Sequence, residues 1–217
     1  MAKSHQLTRE ESKALTRARL IAAAREIFVE RGFHAAKMET IASRAGFTVG
    51  ALYSNFPAGK TELFVAVFDQ YQSERAREIE EAVTAAEAPQ DQPWEAAAQW
   101  RQKLVGEPGW FPLFMEFWAH AVRDPQLRDR FAISFSRVRF ALARIVTRHA
   151  RQGGMELPLP AEQVATIIKA LGNGLALETF AEPDSVPDDL LGTALSIFAR
   201  GLEATPRQGT PLQARPT

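Results

Sequence analysis

The chain has 217 residues, of which 46% are hydrophobic and 24% charged, proportions typical of a globular protein with a buried core. It contains no cysteine, which excludes disulfides, thiolate metal sites and a thiol nucleophile. No stretch reaches the roughly 18 apolar residues of a membrane helix. The first residues also lack the apolar segment of a secretory signal, so we expect a cytoplasmic protein without membrane contact.

The formal net charge is zero, but the charges are divided unevenly along the chain. Residues 1–60 carry 10 Lys and Arg against 5 Asp and Glu, whereas residues 61–217 carry 16 against 21. A basic segment attached to an acidic body indicates that the N-terminal part is the one that meets a polyanion such as nucleic acid.

Apolar residues recur at helical spacing almost throughout, and alternating β-branched runs are scarce. The N-terminal pattern predicts helices over 12–31, 38–45 and from Thr48 to about 55, with Gly32 and Gly46 ending the first two. A long fourth helix is predicted over about 60–86. Further helices are predicted over 94–105, 111–123, 124–152, 161–180 and 187–203.

These patterns predict an all-α fold of about nine helices without a sheet. A three-helix domain is expected over 1–60, in which 1–11 form a flexible arm. A larger helical domain is expected over 61–204. The tail over 205–217 is rich in Pro, Gln, Arg and Thr, a composition that predicts disorder.

The two short helices around Gly46 fit the helix-turn-helix plan, in which the second helix enters the major groove of DNA. An ordinary helical hairpin has the same periodicity, so the side chains must decide between the two. Hydroxyl donors suit phosphate oxygens, a glycine lets the backbone approach closely, and cations attract phosphate. The segment offers all three: Thr48, Tyr53, Ser54, Gly50, Arg44 and Lys60.

Residues 12–65 resemble the DNA-binding domain of the TetR family of repressors at many fixed positions. The matching residues are Thr16, Arg17, Ala23, Ala24, Phe28, Gly32, Phe33, Ile41, Ala42, Ala45, Gly46, Phe47, Thr48, Gly50, Leu52, Tyr53, Asn55, Phe56 and Lys60. The rest of the chain resembles the family only in length and helical content. The resemblance implies a helix-turn-helix domain followed by a helical domain for ligand binding and dimerisation.

The resemblance also implies which residues face DNA. Periodicity groups Val49 and Tyr53 with the buried Leu52 and Phe56, whereas the family exposes the first two, and we follow the family. The chain departs from the family at Lys37, where the absence of a hydroxyl cap leaves a lysine to supply a charged contact. The predicted DNA face comprises Lys37, Arg44, Thr48, Val49, Gly50, Ala51, Tyr53, Ser54, Asn55 and Lys60.

Four tryptophans and several phenylalanines are concentrated between residues 94 and 118. Aromatic density of this kind can line a ligand pocket, although ordinary core packing would use the same residues. The predicted pocket residues are Trp100, Trp110, Phe114, Phe117, Trp118, His120, Arg139 and Asn173. Glu95, Glu107 and Glu116 would suit a cationic aromatic effector. Glu116 and His120 lack a third partner, so no metal or cofactor is expected.

Two apolar stripes near the C-terminus predict a dimer interface, although each helix could instead bury its stripe inside its own subunit. The predicted interface residues are Val164, Ile168, Leu171, Leu175, Leu191, Leu195 and Phe198. The resemblance favours a homodimer, whose two-fold symmetry fits a palindromic double-stranded operator.

The sequence therefore predicts a transcriptional repressor that a small hydrophobic or aromatic ligand releases from DNA. The alternative is a helix-turn-helix regulator without a small-molecule effector, controlled by a partner protein or acting as an activator. An enzyme is disfavoured, because the four histidines are scattered and no nucleophile or phosphate-binding motif is present.

Overall fold

A computed structural model of the chain describes residues 8–85 and 109–205. The described residues form eight α-helices and no strand, which confirms the all-α class. The helices are α1 (Arg9–Ala35), α2 (Met38–Ala45), α3 (Val49–Asn55), α4 (Lys60–Ala85), α5 (Trp110–Ala121), α6 (Pro125–Gln152), α7 (Ala161–Ala181) and α8 (Leu190–Ala204). A 3₁₀ turn, Pro183–Ser185, precedes α8. The helix predicted over 94–105, the first residues of the arm and the tail beyond 205 lie outside the described residues.

Among the described helices, none is both long and apolar enough to cross a lipid bilayer.

The first helix begins three residues earlier than predicted. Thr8 and Glu11 form a reciprocal capping box, in which the Glu11 amide donates to Thr8 Oγ1 at 3.2 Å and the Thr8 amide donates to Glu11 Oε2 at 2.7 Å. At the other end, Gly32 has a φ of 75°, which kinks the helix before a last turn that ends at Ala35. Gly32 is therefore a kink within α1, and the helix extends beyond its predicted end.

The second and third helices have the predicted boundaries. Gly46 adopts the left-handed conformation with a φ of 76°, and the Phe47 amide donates to the Ala42 carbonyl at 2.9 Å, which closes α2. Thr48 then caps α3, because its hydroxyl accepts a hydrogen bond from the Ala51 amide at 3.1 Å. The turn and both caps are confirmed as read from the sequence.

The described residues divide into two compact units, each with its own core. One comprises residues 8–73 and 109–135, and its core is rich in phenylalanine: the ring of Phe64 stacks on Phe117 at 3.9 Å and that of Phe68 on Phe131 at 4.5 Å. This N-terminal unit thus draws on α4, α5 and α6 as well as on the first three helices. The other unit comprises residues 74–85 and 136–205.

Candidate nucleic-acid interface

The third helix presents a small, polar face to solvent. Leu52 and Phe56 are fully buried, whereas Tyr53 is 46% exposed and Gly50 and Ser54 are also exposed. The exposure of Tyr53 agrees with the resemblance, and the burial that periodicity alone predicted for it is wrong. Val49 and Ala51 lie between these extremes, because both are half-buried and Val49 packs against the core of the N-terminal unit.

Two arginines of α1 bind the C-terminal ends of α2 and α3. Arg17 Nη1 donates to the carbonyl of Asn55 at 2.7 Å, and its guanidinium lies 4.1 Å from the centroid of the Phe56 ring. Arg19 Nη2 donates to the carbonyl of Ala45 at 3.1 Å. Carbonyls at a helix C-terminus lack partners within the helix, so these bonds stabilise the ends of α2 and α3.

Asn55 turns back onto its own helix. Its Nδ2 donates to the Ala51 carbonyl at 2.8 Å, and its Oδ1 is buried without a hydrogen-bond donor from any described residue. The structure therefore places Asn55 at the half-buried end of α3, beside the carbonyl that Arg17 holds. Its contact with DNA remains a prediction.

Arg44 bridges the first two helices. Its Nη1 lies 2.8 Å from Glu26 Oε2 and 3.3 Å from Glu30 Oε1. The hydrogen bond to Glu26 and, to a smaller extent, the hydrogen bond to Glu30 raise the pKa of Arg44. The predicted phosphate contact of Arg44 would thus be shared with two carboxylates of α1.

Lys60 has a role that sequence reasoning missed. Its Nζ donates to the carbonyls of His34 at 2.9 Å and Ala36 at 3.1 Å, and it lies 5.0 Å from the centroid of the Phe33 ring. Lys60 therefore caps the end of α1, so a phosphate contact would have to compete with these bonds. No local sequence signal indicated this contact, since α1 and α4 come together only in the folded protein.

Lys37 is the cation of the predicted DNA face whose side chain is both exposed and without a described partner. It is exposed, it directly precedes α2, and its side chain forms no hydrogen bond or ion pair with residues 8–85 or 109–205. It also provides no side-chain cap for α2, as expected from the missing hydroxyl at this position.

Glu116 of α5 binds the kink in α1. Its carboxylate accepts hydrogen bonds from the backbone amides of Phe33 at 2.8 Å and His34 at 3.0 Å. A Cβ at Gly32 would lie 2.9 Å from Glu116 Oε2, so the glycine is required for this contact as well as for its φ. The sequence interpretation of Glu116 as a group that attracts a cationic effector is corrected, because both of its oxygens are engaged by α1.

The predicted pocket residues are divided between the two units and the segment outside the described residues. Trp110 and Phe117 are buried in the N-terminal unit, where Trp110 stacks on Tyr71 at 3.8 Å, and Phe114 packs beside them. Trp118 and His120 are exposed. Arg139 and Asn173 belong to the other unit, and Trp100, Glu95 and Glu107 lie outside the described residues. For Trp110 and Phe117, core packing is the better description.

Nowhere in residues 8–85 and 109–205 do three metal-binding side chains cluster.

The predicted dimer stripe is partly internal. Val164, Leu191 and Leu195 are buried at 1–2% exposure within their own unit, so their side chains cannot contact a second chain. The other four residues predicted for the interface are half-buried: Ile168, Leu171, Leu175 and Phe198. The three buried side chains pack inside one subunit, which is the alternative that the sequence left open, and the interface role of the other four stays a prediction.

Comparisons with known proteins agree with the arrangement of these helices. The family model described as bacterial regulatory proteins, tetR family, matches residues 20–67, and the model for the C-terminal part of BetI-type transcriptional repressors matches residues 102–204. Together the two matches cover more than half of the chain.

Individual relatives match over shorter stretches or at lower identity. The transcriptional activator FasR of Mycolicibacterium smegmatis is 47% identical over 55 residues, a quarter of each chain. The regulator UidR of Escherichia coli is 31% identical over 112 residues, 52% of this chain and 55% of UidR. The chain thus aligns with a quarter to about half of the length of these relatives.

Among solved structures, the regulator FadR of Bacillus subtilis superposes with a TM-score of 0.65. The match covers 86% of this chain and 97% of FadR at 17% identity, a likeness of fold. The helix-turn-helix geometry and the two family matches lead to one conclusion: the chain belongs to the TetR family of transcriptional regulators.

Proposed function

We propose that the chain is a repressor that binds a palindromic operator as a homodimer and is released by a small molecule. The observation that carries this proposal is the polar, exposed face of α3, which presents Gly50, Tyr53 and Ser54 while Arg17 holds its far end. A short helix with such a face can enter a major groove and donate to phosphates. The C-terminal match to BetI-type repressors supports repression.

Release is proposed to occur by a population shift. The dimer is proposed to exist in two states that differ in the spacing of its two α3 helices. An effector that binds the state unable to fit the operator more tightly shifts the population towards it. The operator affinity then falls by at most the ratio of the effector's affinities for the two states. FadR was solved in complex with stearoyl-CoA, which supports a small-molecule effector for a protein of this fold.

The exposed phenol of Tyr53 provides the direct test of the DNA face. A duplex selected from a random library by the wild-type chain would be used in fluorescence anisotropy. We expect Tyr53→Ala to weaken binding by about tenfold, corresponding to about 1.4 kcal/mol. Lys37→Ala is expected to weaken binding and to reduce the slope of log affinity against log salt by about 1. Arg200→Ala, an exposed cation on α8, is the control. Unchanged affinity in both test variants would refute this DNA face.

Gly50→Ala separates DNA contact from folding. A Cβ at Gly50 would meet only Thr48 Oγ1, at 3.8 Å, so the free chain accommodates it. Stability should be unchanged or raised by up to about 1 kcal/mol, since alanine is the better helix former. Binding to DNA should nevertheless fall by about tenfold, as a methyl group intrudes where the backbone approaches the duplex. Thermal denaturation and anisotropy measure the two effects, and Gly201→Ala, which also has open space around it, is the control.

The homodimer is proposed to form through the outer face of α7 and α8. Exposed apolar side chains lie at Ile167, Leu177 and Phe180 on α7 and at Ile197, 58% exposed, on α8. The first two are ten residues apart, and the exposed Ala170 and Gly174 lie between them on the same side of the helix. Small residues on such a face permit close helix packing.

Charges placed on this face test the dimer. Leu177→Arg and Ile197→Arg are each expected to raise the dimer dissociation constant by at least about 100-fold, because an unpaired buried charge costs about 3 kcal/mol or more. Light scattering coupled to size-exclusion chromatography reports the change. Ile133→Arg, at an isoleucine of the N-terminal unit that is 66% exposed, should leave the dimer intact. A wild-type chain that is monomeric at micromolar concentration would rule the interface out.

A further inference from the structure

Arg17 and Arg19 of α1 make matching contacts with the two helices of the helix-turn-helix. Arg17 Nη1 donates at 2.7 Å to the carbonyl of Asn55, the last residue of α3. Arg19 Nη2 donates at 3.1 Å to the carbonyl of Ala45, the last residue of α2. The first pair is separated by 38 positions in the sequence and the second by 26, so folding is what brings these groups together.

Each guanidinium also lies over the aromatic ring that follows the helix it contacts. The guanidinium carbon of Arg17 is 4.1 Å from the centroid of the Phe56 ring, directly after α3. That of Arg19 is 4.9 Å from the centroid of the Phe47 ring, two residues after α2. A planar guanidinium can donate an N–H in its plane while its face covers a ring. The two contacts together fix the direction as well as the position of each helix end.

The two arginines leave α1 on opposite sides of its buried face. At 3.6 residues per turn, residues two apart point about 200° apart around a helix. Leu20, which is fully buried in the core of the N-terminal unit, lies between these two directions. The buried face of α1 is therefore flanked by an arginine on each side, and each arginine reaches a different helix.

The two helices are short enough to depend on such contacts. α2 has eight residues and α3 has seven, lengths at which an isolated helix is unstable in water. The last carbonyls of a helix lack partners within it and carry partial negative charge, which a cation stabilises. The last turn of α3 contains no basic residue, and Arg44 in the last turn of α2 pairs with Glu26 and Glu30. The cation bonded to each helix end therefore comes from α1.

We propose that Arg17 and Arg19 are positioning residues for DNA recognition, which set operator affinity by fixing the ends of α2 and α3 without contacting DNA. α3 must place its exposed Gly50 and Tyr53 against the duplex, and a displaced helix end would move both. Neither arginine belongs to the DNA face predicted from the sequence. The inference rests on the proposed function, because its main readout is DNA binding.

Two duplexes separate positioning from direct contact. One is the duplex selected by the wild-type chain, and the other has the same bases in scrambled order. Arg17→Met and Arg19→Met should each weaken binding to the selected duplex by about tenfold and to the scrambled duplex by less than about twofold. The slope of log affinity against log salt should stay unchanged. A phosphate contact would instead weaken binding to both duplexes alike and reduce this slope by about 1.

Hydrogen exchange of the free chain gives a second readout that needs no DNA. The amide of Phe56 donates to the Leu52 carbonyl at 2.9 Å, at the end of α3 that Arg17 contacts. In Arg17→Met this amide should exchange at least about tenfold faster, at a temperature where circular dichroism shows the variant folded. Arg17→Lys keeps a donor and the charge, so it should recover part of both effects. Arg31→Met, at an exposed arginine of the same helix, is the control and should change neither.

Three outcomes would overturn the proposal. Equal losses on both duplexes with a reduced salt slope would make the arginines phosphate contacts. Wild-type affinity in both methionine variants, or an unchanged exchange rate of the Phe56 amide in Arg17→Met, would show that α3 does not depend on them. A wild-type chain that binds no duplex, with exchange accelerated in Arg17→Met, would count against the proposed function and not against the support of α3.

Discussion

Replacing Glu116 by alanine is expected to lower the free energy of unfolding by about 3 kcal/mol. The carboxylate accepts two backbone hydrogen bonds at the kink of α1, from Phe33 and His34, and hydrogen bonds to a charged group contribute about 1.5–3 kcal/mol each. The His34 amide is reached by water in the variant, whereas Phe33 is buried and its amide loses its acceptor. Urea denaturation would measure the change as a lower midpoint.

Two variants control for this prediction. Glu116→Gln keeps one carbonyl oxygen as an acceptor and should lose about half as much stability. Glu178→Ala removes an exposed glutamate of α7 and should change stability by less than about 0.5 kcal/mol, as is usual at the surface. Equal stability of Glu116→Ala and the wild type would mean that the contact with α1 contributes nothing to folding.

Replacing Lys169 by methionine is expected to stabilise the chain, and to do so most below pH 7. The folded-state pKa of about 7 lies below the ordinary 10.5, so between these values the unfolded chain holds a proton that the folded chain has released. Stability therefore rises with pH across this window. The cost of the buried ammonium is complete below pH 7 and is gone near pH 10.5.

The gain from Lys169→Met should be about 3 kcal/mol at pH 6 and close to zero at pH 10, as each pKa unit corresponds to about 1.4 kcal/mol and local relaxation offsets part of it. Denaturation curves at the two pH values measure the difference. The exposed Lys13→Met should show no such pH dependence. A gain of equal size at both pH values would show that the lysine is costly for a reason other than its charge.

Local features of the helix-turn-helix were predictable because they depend on neighbours in the sequence. Gly46 ends α2 and Thr48 caps α3 through hydrogen bonds to residues within five positions. Periodicity failed at Tyr53, which shares its spacing with the buried Leu52 and Phe56 yet lies at 46% exposure. Seven residues make too short a helix for spacing alone to separate its two faces, and the family resemblance supplied the distinction.

Contacts between parts of the chain that are distant in sequence could not be predicted from the sequence. Glu116 and the amide of Phe33 are 83 positions apart, and Lys60 reaches the carbonyl of His34 over 26 positions. The sequence predicted that Glu116 binds a ligand and that Lys60 binds phosphate. In the folded protein, both side chains form hydrogen bonds at the C-terminal end of α1. Val164 and Leu195 are buried inside their own unit for a related reason, since apolar side chains at helical spacing can pack against neighbours in the same chain.

The residue pattern by itself determined the helical class and the turn between α2 and α3, because helix periods, caps and turns depend on short-range chemistry. The resemblance of residues 12–65 added the DNA-binding family. The tertiary structure decided which charges are compensated. Arg44, Lys60 and Glu116 acquire partners through packing, whereas Arg139 is left with a buried, unbonded donor. Burial depends on every element that surrounds a side chain, so no segment read alone could have shown that the Arg139 Nε is buried without an acceptor.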